Sequence, residues 1–120
     1  MNDKKQPSNR QLKVGQQIRF LVSNFFIKED FIFENFDSKN LTIVDVVLSP
    51  DLKNAKVFVI TNSVDTNKLL IDELNNKSKL IQKNIASNLT SKFTPKLKFF
   101  FDNSFEYSDK INNILETINR

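Results

Sequence analysis

The chain contains neither cysteine nor histidine, so neither a disulfide nor a cysteine-histidine zinc site can hold it together. Its fold must therefore rest on a hydrophobic core built by its own 120 residues. A chain of this length buries roughly two thirds of its unfolded surface, which suits one domain and leaves no room for a second core. Apolar residues make up only 39% of the sequence, but they include twelve phenylalanines, each with a large area to bury. A single domain that folds without covalent or metal support is predicted.

The same two absences exclude several classes of active site. Ser-His and Cys-His catalytic pairs and imidazole metal sites all need residues that the chain lacks. Asp102 and Asn103 follow an apparent strand, but neither has a partner base or nucleophile, so a turn or helix cap is the better interpretation. The sequence predicts no enzymatic activity, no cofactor, no metal and no small-molecule substrate.

Positive charge is concentrated in two segments of the chain. Between Lys77 and Lys98 there are six lysines and no acidic residue, whereas the whole chain has a net charge of only +4. Residues 1–19 carry five basic residues and one aspartate. No apolar run is long enough for a signal peptide or a membrane span. These features predict a soluble, cytoplasmic protein whose partner is a polyanion.

Hydrophobic spacing predicts the first element of the domain. Residues 1–7 are polar and charged and are predicted to be a disordered leader, followed by one domain over residues 8–120. Apolar residues at intervals of three and four predict a helix over about 9–27, with Ser8 as its N-cap. Gly15 lies inside this helix and costs stability there, unless it allows another backbone to approach closely.

The next segments predict a loop and a β-hairpin. Residues 27–40 mix phenylalanine with acidic and polar residues and are interpreted as a loop. Two runs rich in β-branched residues, 41–49 and 55–61, flank a turn and predict antiparallel strands. The first run contains one charge, Asp45, and is otherwise expected to be buried on both faces. Asp45 is expected to lie at an edge or to accept a local hydrogen bond.

The second half predicts two helices, a strand and a last helix. Helical spacing over residues 65–89 slips in phase around 75–79, which indicates two helices that meet at a kink. Residues 97–101 form the third strand, with Lys96, Lys98 and Phe100 on one face and Leu97, Phe99 and Phe101 on the other. Apolar positions over residues 111–118 predict a short C-terminal helix.

This order of elements is an α+β fold of the KH type II kind. It reads α-β-β-α-(kink)-α-β, with a three-stranded sheet and the short helix at the end, and such domains commonly bind RNA. KH domains usually grip RNA with a GXXG loop, where glycine lets the backbone approach the sugar–phosphate chain. Gly15 is the only glycine, so this loop cannot form. Any RNA contact must then use lysine and arginine side chains, which bind mostly phosphates.

Three stretches resemble the ribosome-binding factor A family: RQLKVGQQIR from Arg10, SPDLKNAKVFV from Ser49 and TPKLKFFFDNS from Thr94. With the spacing between them, the resemblance covers about residues 8–118. It implies a KH-like protein that binds the small (30S) ribosomal subunit and its 16S ribosomal RNA near the decoding region. It also implies a role in late subunit maturation, ribosomal RNA processing and cold adaptation. A monomer is expected.

The chain departs from the family at the bend between the two central helices. The family's Ala-x-Gly signature is replaced there by Lys77-Ser78-Lys79. The bend is therefore expected to be milder, or to be held by Asn75 and Asn76, because asparagine tolerates left-handed geometry better than most residues.

The candidate RNA-binding residues are the basic side chains of the two positive segments: Arg10, Lys13, Arg19, Lys77, Lys79, Lys83, Lys92, Lys96 and Lys98. Without the resemblance, such a run of charge is ordinarily a solvated face. With it, we expect the helical and strand lysines to form one continuous phosphate-facing surface and the N-terminal residues to make a second contact. Most phenylalanines are expected in the core, including Phe58, Phe99 and Phe101.

Two other functions, a general RNA chaperone and a nuclease, remain as alternatives to a ribosome assembly factor. A general KH-like RNA chaperone would bind structured RNAs and purified small subunits with equal affinity. An RNA-processing nuclease would need clustered carboxylates for metal ions, and the carboxylates of this chain are scattered.

Overall fold

The computed structural model describes residues 6–28, 34, 40–61 and 67–102. Within these ranges it contains α1 (Asn9–Lys28), β1 (Leu41–Leu48), β2 (Asn54–Thr61), α2 (Asn67–Asn76), α3 (Ser78–Ala86) and β3 (Lys96–Phe101). The predicted helix, hairpin, pair of helices and third strand are therefore confirmed. The predicted C-terminal helix, most of the predicted leader and most of the loop over 27–40 lie outside the described residues.

The three strands form one sheet in the order β1-β2-β3. β1 and β2 pair antiparallel, while β2 and β3 pair parallel, with Ala55 opposite Leu97 and Phe58 opposite Phe100. Parallel strands need a long crossover between them, and α2 and α3 provide it. The three helices lie on one face of the sheet, α1 over β1 and the other two over β3. This is the predicted α+β, KH-like arrangement.

The core lies between the helices and one face of the sheet. It contains the buried stripe of α1, alternate residues of each strand, and Leu70, Leu74, Ile81 and Ile85 of the crossover helices. Phe99 at its centre is 1% exposed, and its ring centroid lies 6.5 Å from that of Phe26. Phe99 was correctly predicted to be buried, and Phe101 packs partly buried against the same cluster.

The expectation that β1 is buried on both faces is wrong. Its burial alternates along the strand, because helices cover only one side of the sheet. Asp45 is exposed, follows an irregularity in the pairing after Ile43, and accepts a hydrogen bond from the Val46 N–H at 2.9 Å. As predicted, Asp45 lies on an edge strand and accepts a local bond. The β-branched residues of this run indicate strand propensity and do not require burial of both faces.

The start of α1 and its contact with the sheet follow from two local features. The Ser8 hydroxyl accepts the Gln11 N–H at 3.1 Å, and the Gln11 side chain accepts the Ser8 N–H at 2.7 Å. This reciprocal capping box confirms Ser8 as the N-cap. About two helical turns after Ser8, Gly15 packs so close to β1 that an added Cβ would lie 3.0 Å from the Val46 carbonyl oxygen. The predicted close approach at Gly15 is thus confirmed.

The hairpin turn is stabilised by the side chains of Ser49 and Asp51. The Ser49 hydroxyl donates to the Asp51 carboxylate at 2.6 Å, and the Lys53 N–H donates to the same oxygen at 3.0 Å. These two bonds hold the pKa of Asp51 below its ordinary value. Their contribution to stability is therefore present above the ordinary carboxyl pKa and is lost as the pH falls through the lowered pKa.

Candidate nucleic-acid interface

The free edge of β3 is bonded by two amide side chains from the crossover helices. The Asn75 side chain accepts the Phe99 N–H at 2.8 Å and donates to the Phe99 carbonyl at 3.2 Å. Gln82 accepts the Leu97 N–H at 3.0 Å. These side chains take the place of a neighbouring strand at Leu97 and Phe99, so these backbone groups are not available to pair with another chain. They also hold the α2–α3 bend beside the last strand.

The bend itself is held differently from the sequence-based expectation. Leu52 is the only non-glycine residue with a positive φ in the described part of the chain. The expectation that Asn75 or Asn76 adopts left-handed geometry is therefore wrong. The junction residue Lys77 has φ −99° and ψ 7°. Asn75 holds the bend through its side chain, and Lys77 through an ion pair with the Glu73 carboxylate at 3.0 Å. A glycine is not needed, because no described residue of the bend has a positive φ.

Replacing Asn75 with alanine is expected to lower the free energy of unfolding by about 1–3 kcal/mol, because two backbone groups of Phe99 lose their partner. Chemical denaturation of both proteins measures the difference. Asn84→Ala, at an exposed position of α3, is the matched control and is expected to change stability by less than about 0.5 kcal/mol. Equal stability of the two variants would contradict the role assigned to Asn75.

The sheet face away from the helices carries three exposed lysines. Lys56 projects from β2, and Lys96 and Lys98 project from β3. They border a hollow of about 640 Å³ that reaches the α2–α3 bend at Asn75 and Ser78. No acidic side chain lines this hollow among the described residues. We call Lys56, Lys96 and Lys98, with the hollow that they border, the sheet-face site.

Two phenyl rings lie on the same face as these lysines. Phe58 and Phe100 are cross-strand neighbours, with centroids 5.7 Å apart and ring planes at 29°. The Lys98 ammonium lies 5.4 Å from the Phe100 centroid. The core assignment of Phe58 is wrong, since the buried positions of β2 are Ala55, Val57 and Val59 and Phe58 has the opposite parity. Basic and aromatic side chains on one open surface are typical of nucleic-acid interfaces.

The helical lysines of the predicted surface do not line the hollow that the strand lysines border. Lys79 and Lys83 are exposed on α3, on the side of the helix opposite to Ile81 and Ile85, which pack against the sheet. Lys96 and Lys98 project from the face of the sheet that is not covered by helices. The hollow that Lys96 and Lys98 border reaches α3 at Ser78, but neither Lys79 nor Lys83 lines it. Lys77 belongs to neither surface, because it is paired with Glu73, which also accepts the Glu34 N–H at 2.6 Å.

The remaining predicted residues fall in two places. Arg10 and Lys92 line a second hollow, together with Lys53. Lys13 and Arg19 are exposed on α1. The sequence-based selection missed Lys53 and Lys56, because it counted charge in windows along the chain. The alternation of side chains along β2 places Lys56 on the same face of the sheet as Phe58, and this pattern could have identified Lys56.

The described residues also bear on other kinds of site. They contain no group of three or more acidic side chains that is close enough to hold a metal ion. Among the described helices there is no segment with the length and hydropathy of a membrane span.

Comparison with known proteins identifies the family. The model of the family "Ribosome-binding factor A" matches residues 10–115. The chain belongs to the ribosome-binding factor A family. The ribosome-binding factor A of Pelagibacter ubique is 34% identical over 113 residues, which are 94% of this chain and 93% of that protein. The resemblance predicted from the three sequence stretches is thus confirmed.

A solution structure and a fitted homology model of ribosome-binding factor A share the fold at low sequence identity. The solution structure of a putative ribosome-binding factor A from Thermotoga maritima has a TM-score of 0.66 and 21% identity, over 81% of this chain and 91% of that one. A homology model of the Thermus thermophilus ribosome-binding factor A, fitted into the cryo-EM map of a complex with 30S, has a TM-score of 0.58 and 15% identity. It covers 74% of this chain and 91% of that one. These likenesses confirm the KH-like fold.

Proposed function

We propose that this chain binds the small (30S) ribosomal subunit through its 16S ribosomal RNA and supports late maturation of the subunit. It acts in the cytoplasm as a monomer and by binding alone, without catalysis. Membership of the ribosome-binding factor A family supports this proposal. The Thermus relative that was fitted into the map of a 30S complex supports the choice of subunit.

The single observation that carries the proposal is the sheet-face site. Three ammonium groups project into solvent beside two phenyl rings, and no acidic side chain lines the adjoining hollow in the described part of the chain. Such a surface attracts phosphates, and each phosphate contact releases counterions. Binding is therefore expected to weaken steeply as salt is added.

The lysines differ from a GXXG loop in the kind of selectivity that they provide. Flexible ammonium groups contact phosphates wherever the backbone of a folded RNA presents them, and they carry little sequence information. The firmly bonded β3 edge keeps Lys96 and Lys98 at a set spacing on a strand held by Asn75 and Gln82. Recognition by shape and charge follows from this arrangement.

Replacing Lys56, Lys96 and Lys98 together with glutamine tests the proposal. Affinity for purified 30S subunits is expected to fall about tenfold or more, and the slope of log affinity against log salt to shrink by about 2–3, because about three phosphate contacts are lost. Co-sedimentation at several salt concentrations measures both quantities. Circular dichroism of the variant confirms that the fold is retained.

A second triple variant is the matched control. Lys13, Lys79 and Lys83 are exposed on the helices, and their replacement with glutamine removes the same net charge. This variant is expected to keep most of its affinity and its salt slope. Equal losses in both variants would show that net charge alone drives binding, and an unchanged sheet-face variant would refute the proposal.

A further inference from the structure

A second hollow lies at the end of the sheet where β2 and β3 begin. The first turn of α1, the hairpin turn and the loop before β3 enclose about 310 Å³ there. This volume is at the lower end of the range for sites that hold small ligands. Three segments far apart in sequence contribute one cation each, namely Arg10, Lys53 and Lys92. We call this the end hollow.

Positive charge is in excess at the end hollow. Arg10, Lys53 and Lys92 are all exposed, whereas Asp51 is the one acidic residue among the described lining residues. The Asp51 carboxylate already accepts the Ser49 hydroxyl and the Lys53 N–H. Its charge offsets one of the three cations, so the local balance still favours an anion.

An exposed aromatic ring borders the same hollow. Phe93 is 66% exposed, and the Lys92 ammonium lies 5.5 Å from its ring centroid. The Ser91 hydroxyl donates to the Phe93 carbonyl at 2.8 Å and holds the loop that presents the ring. A phenyl face beside several cations is the combination by which proteins hold single-stranded nucleic acid, since the ring stacks a base while the cations bind phosphate.

The end hollow is adjacent to the sheet-face site. The Lys96 N–H donates to the Lys53 carbonyl at 2.8 Å, so a residue of each site is joined by a backbone hydrogen bond. The two sites therefore adjoin where the hairpin turn meets the start of β3.

We propose that the end hollow binds one unpaired nucleotide of RNA, whose base stacks on Phe93 and whose phosphate lies among Arg10, Lys53 and Lys92. The proposal rests on the proposed function for the identity of the polymer, and it adds a preference for single-stranded RNA. The faces of paired bases are covered by their neighbours in a duplex, so only an unpaired base can reach the ring.

Two variants at Phe93 test the proposal. The probes are a 12-nucleotide RNA of adenosine and uridine whose sequence is not self-complementary, and the 12-base-pair duplex that it forms with its complement. Phe93→Ala is expected to weaken binding of the single strand about tenfold and binding of the duplex less than about twofold. The chain contains no tryptophan, so Phe93→Trp introduces a unique fluorophore at the ring. Its emission is expected to be quenched by the single strand and much less by the duplex.

Phe20 is the matched control position. It is 65% exposed, on α1, so Phe20→Ala and Phe20→Trp make the same chemical changes away from the end hollow. Phe20→Ala is expected to bind the single strand and the duplex with the parent's affinities, because Phe93 is intact. The emission of Phe20→Trp is expected to change no more with the single strand than with the duplex. The inference is overturned if Phe93→Ala binds the single strand as the parent does, or if the parent prefers the duplex.

The outcome is separable from that of the proposed function. If the sheet-face variant loses 30S binding and Phe93→Ala binds the single strand as the parent does, the role proposed for the end hollow is refuted and the proposed function stands. Discrimination of single strands by Phe93, with undiminished 30S binding by the sheet-face variant, supports the end hollow and refutes the sheet-face site.

Discussion

Replacing Phe99 with alanine is expected to lower the free energy of unfolding by about 3–5 kcal/mol. The side chain is 1% exposed and projects from β3 into the layer between sheet and helices, where it meets Phe26. Removing the ring leaves a cavity that surrounding residues of two helices and two strands can fill only in part. Urea denaturation followed by circular dichroism measures the loss.

Phe93→Ala is the control for this change. It removes the same side chain from a position 66% exposed, in the loop just before the same strand. A shift within about 0.5 kcal/mol is expected, because little buried surface is lost. If both variants were equally stable, Phe99 would not be at the centre of the core.

Replacing Gly15 with leucine is expected to lower the free energy of unfolding by about 3 kcal/mol, at the upper end of ordinary overpacking costs. A Cβ at this position would already lie 3.0 Å from the Val46 carbonyl oxygen and 3.4 Å from a methyl carbon of Leu48. The first of these atoms belongs to the backbone of β1 and cannot rotate away. The larger side chain must therefore push α1 off the sheet.

Two controls separate this contact from helix propensity. Gly15→Ala gains about 1 kcal/mol of helix propensity and meets the same close contact, so a near-neutral result within about 1 kcal/mol is expected. Gln16→Leu adds a leucine at the exposed neighbouring position and is expected to have little effect. Thermal or urea denaturation of the three variants checks the order. A stabilised Gly15→Leu variant would show that α1 does not lie against β1 at this point.

The distribution of cations changes the interpretation of the lysine-rich segment over 77–98. Together with the family resemblance, this run of charge predicted one surface, but the chain reverses direction within it and distributes its lysines over four environments. Lys77 is bound to Glu73, and Lys79 and Lys83 are exposed on α3. Lys92 lines the end hollow, and Lys96 and Lys98 project from the face of the sheet that the helices leave open. The proposed RNA-binding surface instead combines the strand lysines with Lys56, while Lys53 lines the end hollow. Net charge in a sequence window does not report on which face the charges lie.

Much of the fold was accessible from the sequence because its signals are local. The spacing of apolar residues predicted α1, the β-branched runs predicted the hairpin, and the phase slip predicted the α2–α3 bend. Ser8 was identified as an N-cap because the cap and its partner Gln11 are three residues apart. The parity of β3 correctly assigned Lys96 and Lys98 to one face and Phe99 to the other. Resemblance at three stretches identified the family.

The features that the sequence did not reveal all depend on contacts between distant segments. The packing of the helices on the sheet decides which face of β1 is covered and why Phe58 is not in the core. It also brings Asn75 to Phe99, where its side chain takes the place of a neighbouring strand. The helices and strands, their order and the family can be inferred from the sequence, since each depends on residues a few positions apart. Which cations meet depends on the packing of distant segments, because Arg10, Lys53 and Lys92 become neighbours only when α1, the hairpin turn and the loop before β3 converge.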